Sequence, residues 1–268
     1  MSLLESVIMG VIQGITEFLP VSSSGHLALF HNITGDPVDN LLFDIALHVA
    51  TLIPVCIILR KEIWAILRKP VQKTTGLLIV GTIPAVIAAL LFKDKVEALF
   101  GDVRFLMIGF AVTGLLLLYA DCVKKRHLTK GIKDMTYIDA LVIGAVQAVA
   151  IAPSVSRSGS TTAASLFRKV SRKEAAAFVF LLSIPAILGA AALEVKDLLT
   201  GAITVTPSDG LNMAFGFVAA ALAGYLSIAL VFKLIQKARL RYFSFYLFAL
   251  AAFICVDTFI LKGIVFGG

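Results

Sequence analysis

Gln13 and Glu17 stand four residues apart in an otherwise apolar run, so on a helix they share one face. Just past Pro20 come Ser22, Ser23, Ser24 and His26, three hydroxyls and an imidazole. A second cluster, Ser156, Arg157, Ser158, Ser160 and Thr161, follows Pro153, and Arg157 is the only basic residue between Tyr137 and Phe167. An ionisable side chain inside an apolar run is costly and marks a functional site by default. A permanently charged guanidinium beside hydroxyls and a helix N-terminus suits phosphate, through forked hydrogen bonds and the helix-end dipole. A carboxylate with a neighbouring amide or hydroxyl is a fit for a divalent ion bridging phosphate oxygens. Histidine serves as proton carrier or nucleophile, and serine as nucleophile or donor to phosphate. Together these are the parts of a phosphoryl-transfer site.

Other polar residues read more plainly. Serine and glycine also occur at membrane helix contacts, where small residues permit close approach, and Gly10 and Gly14 read as such a contact. Asp44 and His48, one turn apart at the outer end of a helix, are spaced either to line a cavity or to cap and pack the helix, and packing is the favoured reading. His31 and His127 fall in loops and read as solvated. Cys56, Cys122 and Cys255 have neither metal-like nor disulfide-like spacing and read as packing residues.

These clusters must be positioned inside a bilayer. Of 268 residues, 59% are hydrophobic and 15% charged, with a mean hydropathy of +0.96, far too apolar for a soluble domain. The net charge of +7 does not indicate nucleic acid, because no basic stretch is interleaved with aromatics and the positive residues fall in short loops. The N-terminus lacks the pattern of a cleaved leader, so the first segment is expected to stay.

Six stretches have the length and apolarity of a span: Leu41–Leu59, Thr74–Phe92, Phe105–Ala120, Ala175–Leu193, Leu211–Phe232 and Tyr242–Leu261. Leu3–Phe30 and Tyr137–Phe167 are apolar too, but each is broken midway by a proline and a serine-glycine cluster. Non-helical backbone at membrane depth is tolerated only where protein buries it or water reaches it, so both are expected to be re-entrant hairpins. Four connections, Arg60–Lys73, Lys124–Lys133, Arg168–Lys173 and Lys233–Arg241, hold 18 of the 24 Lys and Arg and should be cytoplasmic. His31–Asn40, Lys93–Arg104 and Glu194–Gly210 should face outward. Six crossings and two re-entrant hairpins place every basic loop on one side and both termini outside.

The hairpins are related. An offset of 134 residues aligns Gly10 with Gly144, Gln13 with Gln147, Ser22 with Ser156, Ser24 with Ser158 and Gly25 with Gly159. The chain is thus one membrane domain of two repeats, about 1–134 and 135–268. Each half holds one hairpin and three crossings, an odd number, so the halves have opposite orientations. The expected fold is all-α: six transmembrane helices plus two re-entrant helical hairpins in an inverted-topology repeat, whose paired interruptions point to the binding site.

Gln13-Gly-Ile-Thr-Glu17-Phe-Leu-Pro-Val-Ser-Ser-Ser-Gly-His26 and Pro153-Ser-Val-Ser-Arg-Ser-Gly-Ser-Thr161 resemble the two signature motifs of the bacterial undecaprenyl-diphosphate phosphatases, the bacitracin-resistance family, and the resemblance covers essentially the whole chain. It implies hydrolysis of undecaprenyl diphosphate to the monophosphate and phosphate, recycling the lipid carrier for cell-wall polymers, at a site in the bacterial cell membrane that opens outward. Gln13 and Glu17 map to a pair that binds a divalent cation, Mg2+ or Ca2+. Ser22, Ser23 and His26 map to the catalytic cluster, with Glu17 and Arg157, while Ser156, Arg157 and Thr161, with Ser24 and Ser158 beside them, hold phosphate. The motif leaves open whether Ser23 or His26 attacks phosphorus. One departure is Ser154, where the family pattern usually has glycine; a positive φ there would strain serine.

The partners implied are a polyprenyl pyrophosphate and membrane lipid, with no nucleic acid; a homodimer is left open. The long tail needs an apolar lateral opening. The alternative from another class is a transporter or flippase using the inverted repeat for alternating access, since fold alone does not fix function. His26 beside Glu17 and the serines favours hydrolysis, which needs a nucleophile or proton carrier as well as binding groups. The other class of membrane lipid phosphatases requires a histidine about six residues after its Ser-Arg motif; Thr161, Thr162 and Ala163 stand here instead. No cysteine precedes an arginine by five residues, which leaves a cysteine phosphatase without its loop.

Overall fold

The computed structural model describes residues 1–34, 41–123, 125–199, 207–237 and 239–266, and among them every regular element is helical. In chain order these are α1 (Leu3–Phe18), α2 (Ser23–Thr34), α3 (Leu41–Ile58), α4 (Arg60–Arg68), α5 (Lys73–Phe100), α6 (Val103–Asp121), α7 (Tyr137–Val149), α8 (Arg157–Phe167), α9 (Arg172–Leu199), α10 (Pro207–Lys237) and α11 (Arg241–Phe259). The protein is an all-α integral membrane protein. Helices α5, α6, α9, α10 and α11 each contain an apolar stretch long enough to cross a bilayer, and α3 with α4 makes a sixth if that pair is one span. The predicted span Leu41–Leu59 ends where expected, but the chain then turns by 84° into α4. The connection expected over Lys93–Arg104 is largely the last turns of α5, which outrun the apolar stretch. The expected outward loops lie partly outside the described residues, at 35–40 and 200–206, as do positions 124 and 238 of the basic loops.

The basic connections meet at one end of the molecule. Lys130 N–H donates to the Lys169 carbonyl (3.0 Å) and Ser171 N–H to that of Lys130 (2.9 Å), joining the loops on either side of the α7–α8 pair. Lys73 Nζ reaches the Lys133 carbonyl (2.7 Å), and Asp121 accepts from Arg172, Arg241 and the Leu240 N–H. The α7–α8 pair therefore leaves from and returns to the same end. Asp139, fully buried at the start of α7, accepts from Lys130 and Arg168 and closes that end.

The first pair is tied to the opposite end. Asn212 Nδ2 donates to the Met1 carbonyl (2.9 Å), and a side chain at Gly216 would meet both the Ser6 carbonyl and the Phe43 ring. The start of α1 thus lies beside the starts of α3 and α10. α1 packs along α10 and α7 along α5, while α6 pairs with α11 and α3 with α9. At that same end Asp102 caps α6, and hydrogen bonds from Arg104 hold its carboxyl below the usual carboxylate range.

Two expectations for single residues are corrected. His31 is buried inside α2, facing Asp44 at 3.5 Å, because α2 continues to Thr34 past the end of the apolar run. Cys56, Cys122 and Cys255 are exposed rather than packed, since helices apolar all round do not reveal in sequence which face turns inward. Of the two readings of His48, lining a cavity is the one observed, described next. His127 is exposed, as expected.

Candidate active site

Each broken segment ends one helix and starts another, and the two breaks meet. α1 stops at Phe18 before Pro20; Ser22 takes φ 71°, a left-handed turn, and α2 begins at Ser23. α7 stops at Val149, and α8 begins after Ser156, whose hydroxyl caps it by accepting from the Gly159 N–H (3.0 Å). Ser154 has φ 60°, the conformation in which glycine would be unstrained, and its buried hydroxyl has no partner among the described residues. The tips lock together: a side chain at Gly25 would collide with Ser154 Oγ, and Ser158 Oγ donates to the Leu19 carbonyl (3.0 Å). Ser156 N–H donates to Thr113 Oγ1 of α6 (2.9 Å), fixing the second tip against that helix.

Glu17 is the hub. One carboxylate oxygen accepts from the Arg157 guanidinium of the other pair; the second accepts from Ser23 Oγ (2.6 Å) and Gln13 Nε2 (2.9 Å), with His48 Nε2 at 3.5 Å. A carboxylate in a largely buried position is tolerated because each of its oxygens is hydrogen-bonded and a cation faces it. The group opens onto a cavity of about 420 Å³, whose polar wall is Glu17, Ser22, Ser23, Ser24, His48, Gln147, Ser156, Arg157 and Ser158. The N-termini of both α2 and α8 are at that wall, so two helix ends offer positive potential to an anion. The opposite wall is apolar, from α5 and α9, and reaches Phe100 and Leu193, at the end away from the basic loops.

Of the expected residues, Glu17, Ser22, Ser23, Ser24, Ser156, Arg157 and Ser158 therefore come together. Gln13 lies behind Glu17, fully buried, with its Oε1 unpartnered. Thr161 is buried and its hydroxyl donates to the Arg157 carbonyl (2.6 Å), holding the residue that carries the guanidinium. His26 is outside the cavity wall: its Nδ1 bonds the Ser22 carbonyl (2.6 Å), its Nε2 the Tyr246 hydroxyl (2.7 Å), and its ring stacks on Tyr246. Because a carbonyl only accepts, Nδ1 carries the proton, and in the neutral ring Nε2 accepts from tyrosine. Two cavity residues were not picked out as chemical: His48, whose spacing from Asp44 suited packing equally well, and Gln147, whose one signal was its repeat relation to Gln13.

The family model described as bacitracin resistance protein BacA matches residues 6–253. A protein of Carboxydothermus hydrogenoformans named undecaprenyl-diphosphatase is 42% identical over 256 residues, covering 96% of this chain and 97% of that one. Undecaprenyl-diphosphatase 3 of Bacillus cereus is 41% identical over 259 residues, covering 97% and 98%, and an undecaprenyl-diphosphatase of Halothermothrix orenii is 40% identical over 249 residues, covering 92% and 94%. With a match over nearly its whole length, the chain belongs to the bacitracin resistance protein BacA family.

Proposed function

We propose that Ser23, activated by Glu17, carries the phosphoryl transfer by which this enzyme converts undecaprenyl diphosphate to undecaprenyl phosphate and phosphate. The observation behind it is the 2.6 Å hydrogen bond from Ser23 Oγ to a carboxylate that the Arg157 guanidinium also holds, at the wall of the cavity. The terminal phosphate lies against the N-termini of α2 and α8, with Arg157 and the serines donating to its oxygens. As Ser23 Oγ bonds to the terminal phosphorus, the bond to the bridging oxygen breaks. The serine proton passes by Glu17 to the departing prenyl phosphate. Water then attacks the phosphoserine, Glu17 takes its proton, and Ser23 recovers the proton as phosphate leaves. His26 holds the Ser22 carbonyl, and with it the turn that presents Ser23.

A divalent cation, Mg2+ or Ca2+, fits as a companion of the pyrophosphate rather than as a fixture of a protein cage. Among the described residues no three His, Cys, Asp or Glu cluster as a metal site. The unpartnered Oε1 of Gln13, next to Glu17, is an oxygen donor in want of a partner. Glu17, at the cavity wall, would hold the ion together with substrate oxygens, as magnesium is commonly held, with Gln13 contributing from behind it. It would neutralise charge on the leaving phosphate.

The membrane orientation follows the charge bias: the end where the basic loops meet is cytoplasmic, both termini are outside, and the cavity opens to the outer face. The pairing of α1 with α10 and α7 with α5, and the hairpins tied to opposite ends, support an inverted-topology repeat.

The test is phosphate release from C55 pyrophosphate by purified protein, with and without a chelator. Ser23→Ala and Glu17→Ala should each lower release by about 10³-fold, and His26→Gln should retain a much larger part of it. Brief incubation with terminally labelled substrate should leave acid-stable label on Ser23. Label on His26 instead, or full activity of folded Ser23→Ala, would overturn the assignment.

A further inference from the structure

We propose that the polyprenyl tail of the substrate lies in an apolar groove along the α5–α9 seam, entered sideways from the bilayer. This rests on the phosphatase activity and adds where the tail goes. The cavity that takes the phosphates has a polar wall on one side only; facing it, Ala85, Val86 and Ala89 of α5 and Ile187 and Ala190 of α9 are apolar. The two helices touch at Gly81 and Leu182, and beyond that contact the seam is built of small residues: a Cβ added at Gly189 would meet nothing within 4 Å.

A second hollow, of about 340 Å³, continues from this wall. It shares Thr82 and Val86 with the phosphate cavity and runs along the face of α5 through Ile87, Ile83 and Ile79, against Pro185. Spacings of three and four residues keep these side chains on one stripe. From Val86 to Thr75 the groove is about 16 Å long at 1.5 Å per residue. The Thr82 hydroxyl donates to the Leu78 carbonyl, so the shared residue presents a methyl, and the unpaired hydroxyl in the groove, Thr75, is at its far end. Ile79, Ile83 and Ile87 are about half exposed, so the groove faces lipid along its length. A tail can therefore slip in without threading. Its direction, from the phosphate cavity towards the basic end, is the direction in which the tail of an outer-leaflet lipid points.

Two variants fill the groove outside the phosphate cavity, Ile83→Trp and Ile79→Trp. The measured quantity is the ratio of kcat/KM for C55 pyrophosphate to that for C10 pyrophosphate, whose two isoprene units can occupy far less of the groove. We expect the ratio to fall about tenfold with Ile83→Trp and less with Ile79→Trp, mainly through KM. Leu222→Trp, on a lipid-facing position of α10, should leave the ratio unchanged. A C55 pyrophosphate carrying a photoreactive group midway along its tail should label residues 75–87 and the region of Pro185. An unchanged ratio in folded variants, label on other helices, or label displaced by phospholipid but not by unlabelled C55 pyrophosphate overturns the proposal. Loss of phosphate release from both substrates by wild type, with the label still in the groove, would count against the activity and not the groove.

Discussion

α1 and α7 begin alike: Ser2 with Glu5 and Thr136 with Asp139 each close a capping box, 134 residues apart. They also pack alike. A Cβ at Gly10 would stand 2.3 Å from the Gly216 carbonyl of α10, and one at Gly144 the same distance from the Gly81 carbonyl of α5. At the tips the likeness is partial: Ser22, Ser24 and Gly25 still match Ser156, Ser158 and Gly159, down to the glycine N–H that each first serine accepts, but the charged residues do not repeat. The counterpart of Glu17 is Ile151, that of Ser23 is Arg157 and that of His26 is Ser160. Even the shared glutamines differ, for Gln13 donates to Glu17 whereas Gln147 reaches the Gly81 carbonyl. The frame is constrained twice by the same packing, but the tips converge on one cavity. Two identical tips would bring like charges together where water screens poorly, which costs more than it does in solvent. Divergence lets a carboxylate on one face a guanidinium on the other.

That comparison can be broken. The largest effect is expected from Glu17→Ala, a fall in phosphate release of about 10³-fold. Adding Ile151→Glu to it should restore nothing; recovery would mean that the tips are interchangeable. Arg157→Ala should cost similar activity and, by leaving Glu17 buried without its cation, about 3 kcal/mol of stability in denaturant unfolding in detergent. Arg157→Lys should recover little, since an ammonium lacks the guanidinium fork. Gly10→Ala and Gly144→Ala should each cost about 1–3 kcal/mol by the same measurement, and by similar amounts. A large difference between them would show that the frame is not shared. Smallest, Ser154→Gly should raise stability by about 1 kcal/mol, because it relieves a left-handed serine with an unpaired buried hydroxyl.

Much of this was legible because it rests on rules that the bilayer makes strict. Proline and serine clusters inside apolar runs announced the breaks, the basic loops announced which connections meet, and the offset of 134 announced the matched glycine contacts. What stayed hidden concerns which way a side chain turns on a helix that is apolar all round. Asp44 and His48 are spaced for a cap or for a cavity, and the choice was made by α3 packing against α1 and α9, which swings His48 towards Glu17. His26 shows the converse: adjacency in the motif suggested the cavity, but Tyr246, 220 residues away, claims its ring. The bend after α3 had a signal for where it occurs, in Arg60, and none for its angle.

The ion pair between Arg157 and Glu17 bolts one hairpin to the other at the wall of the cavity. Under the proposed chemistry a pyrophosphate would compete with that carboxylate for the guanidinium. Binding of the substrate and release of Glu17 towards Ser23 would then be one event, coupled through a single side chain.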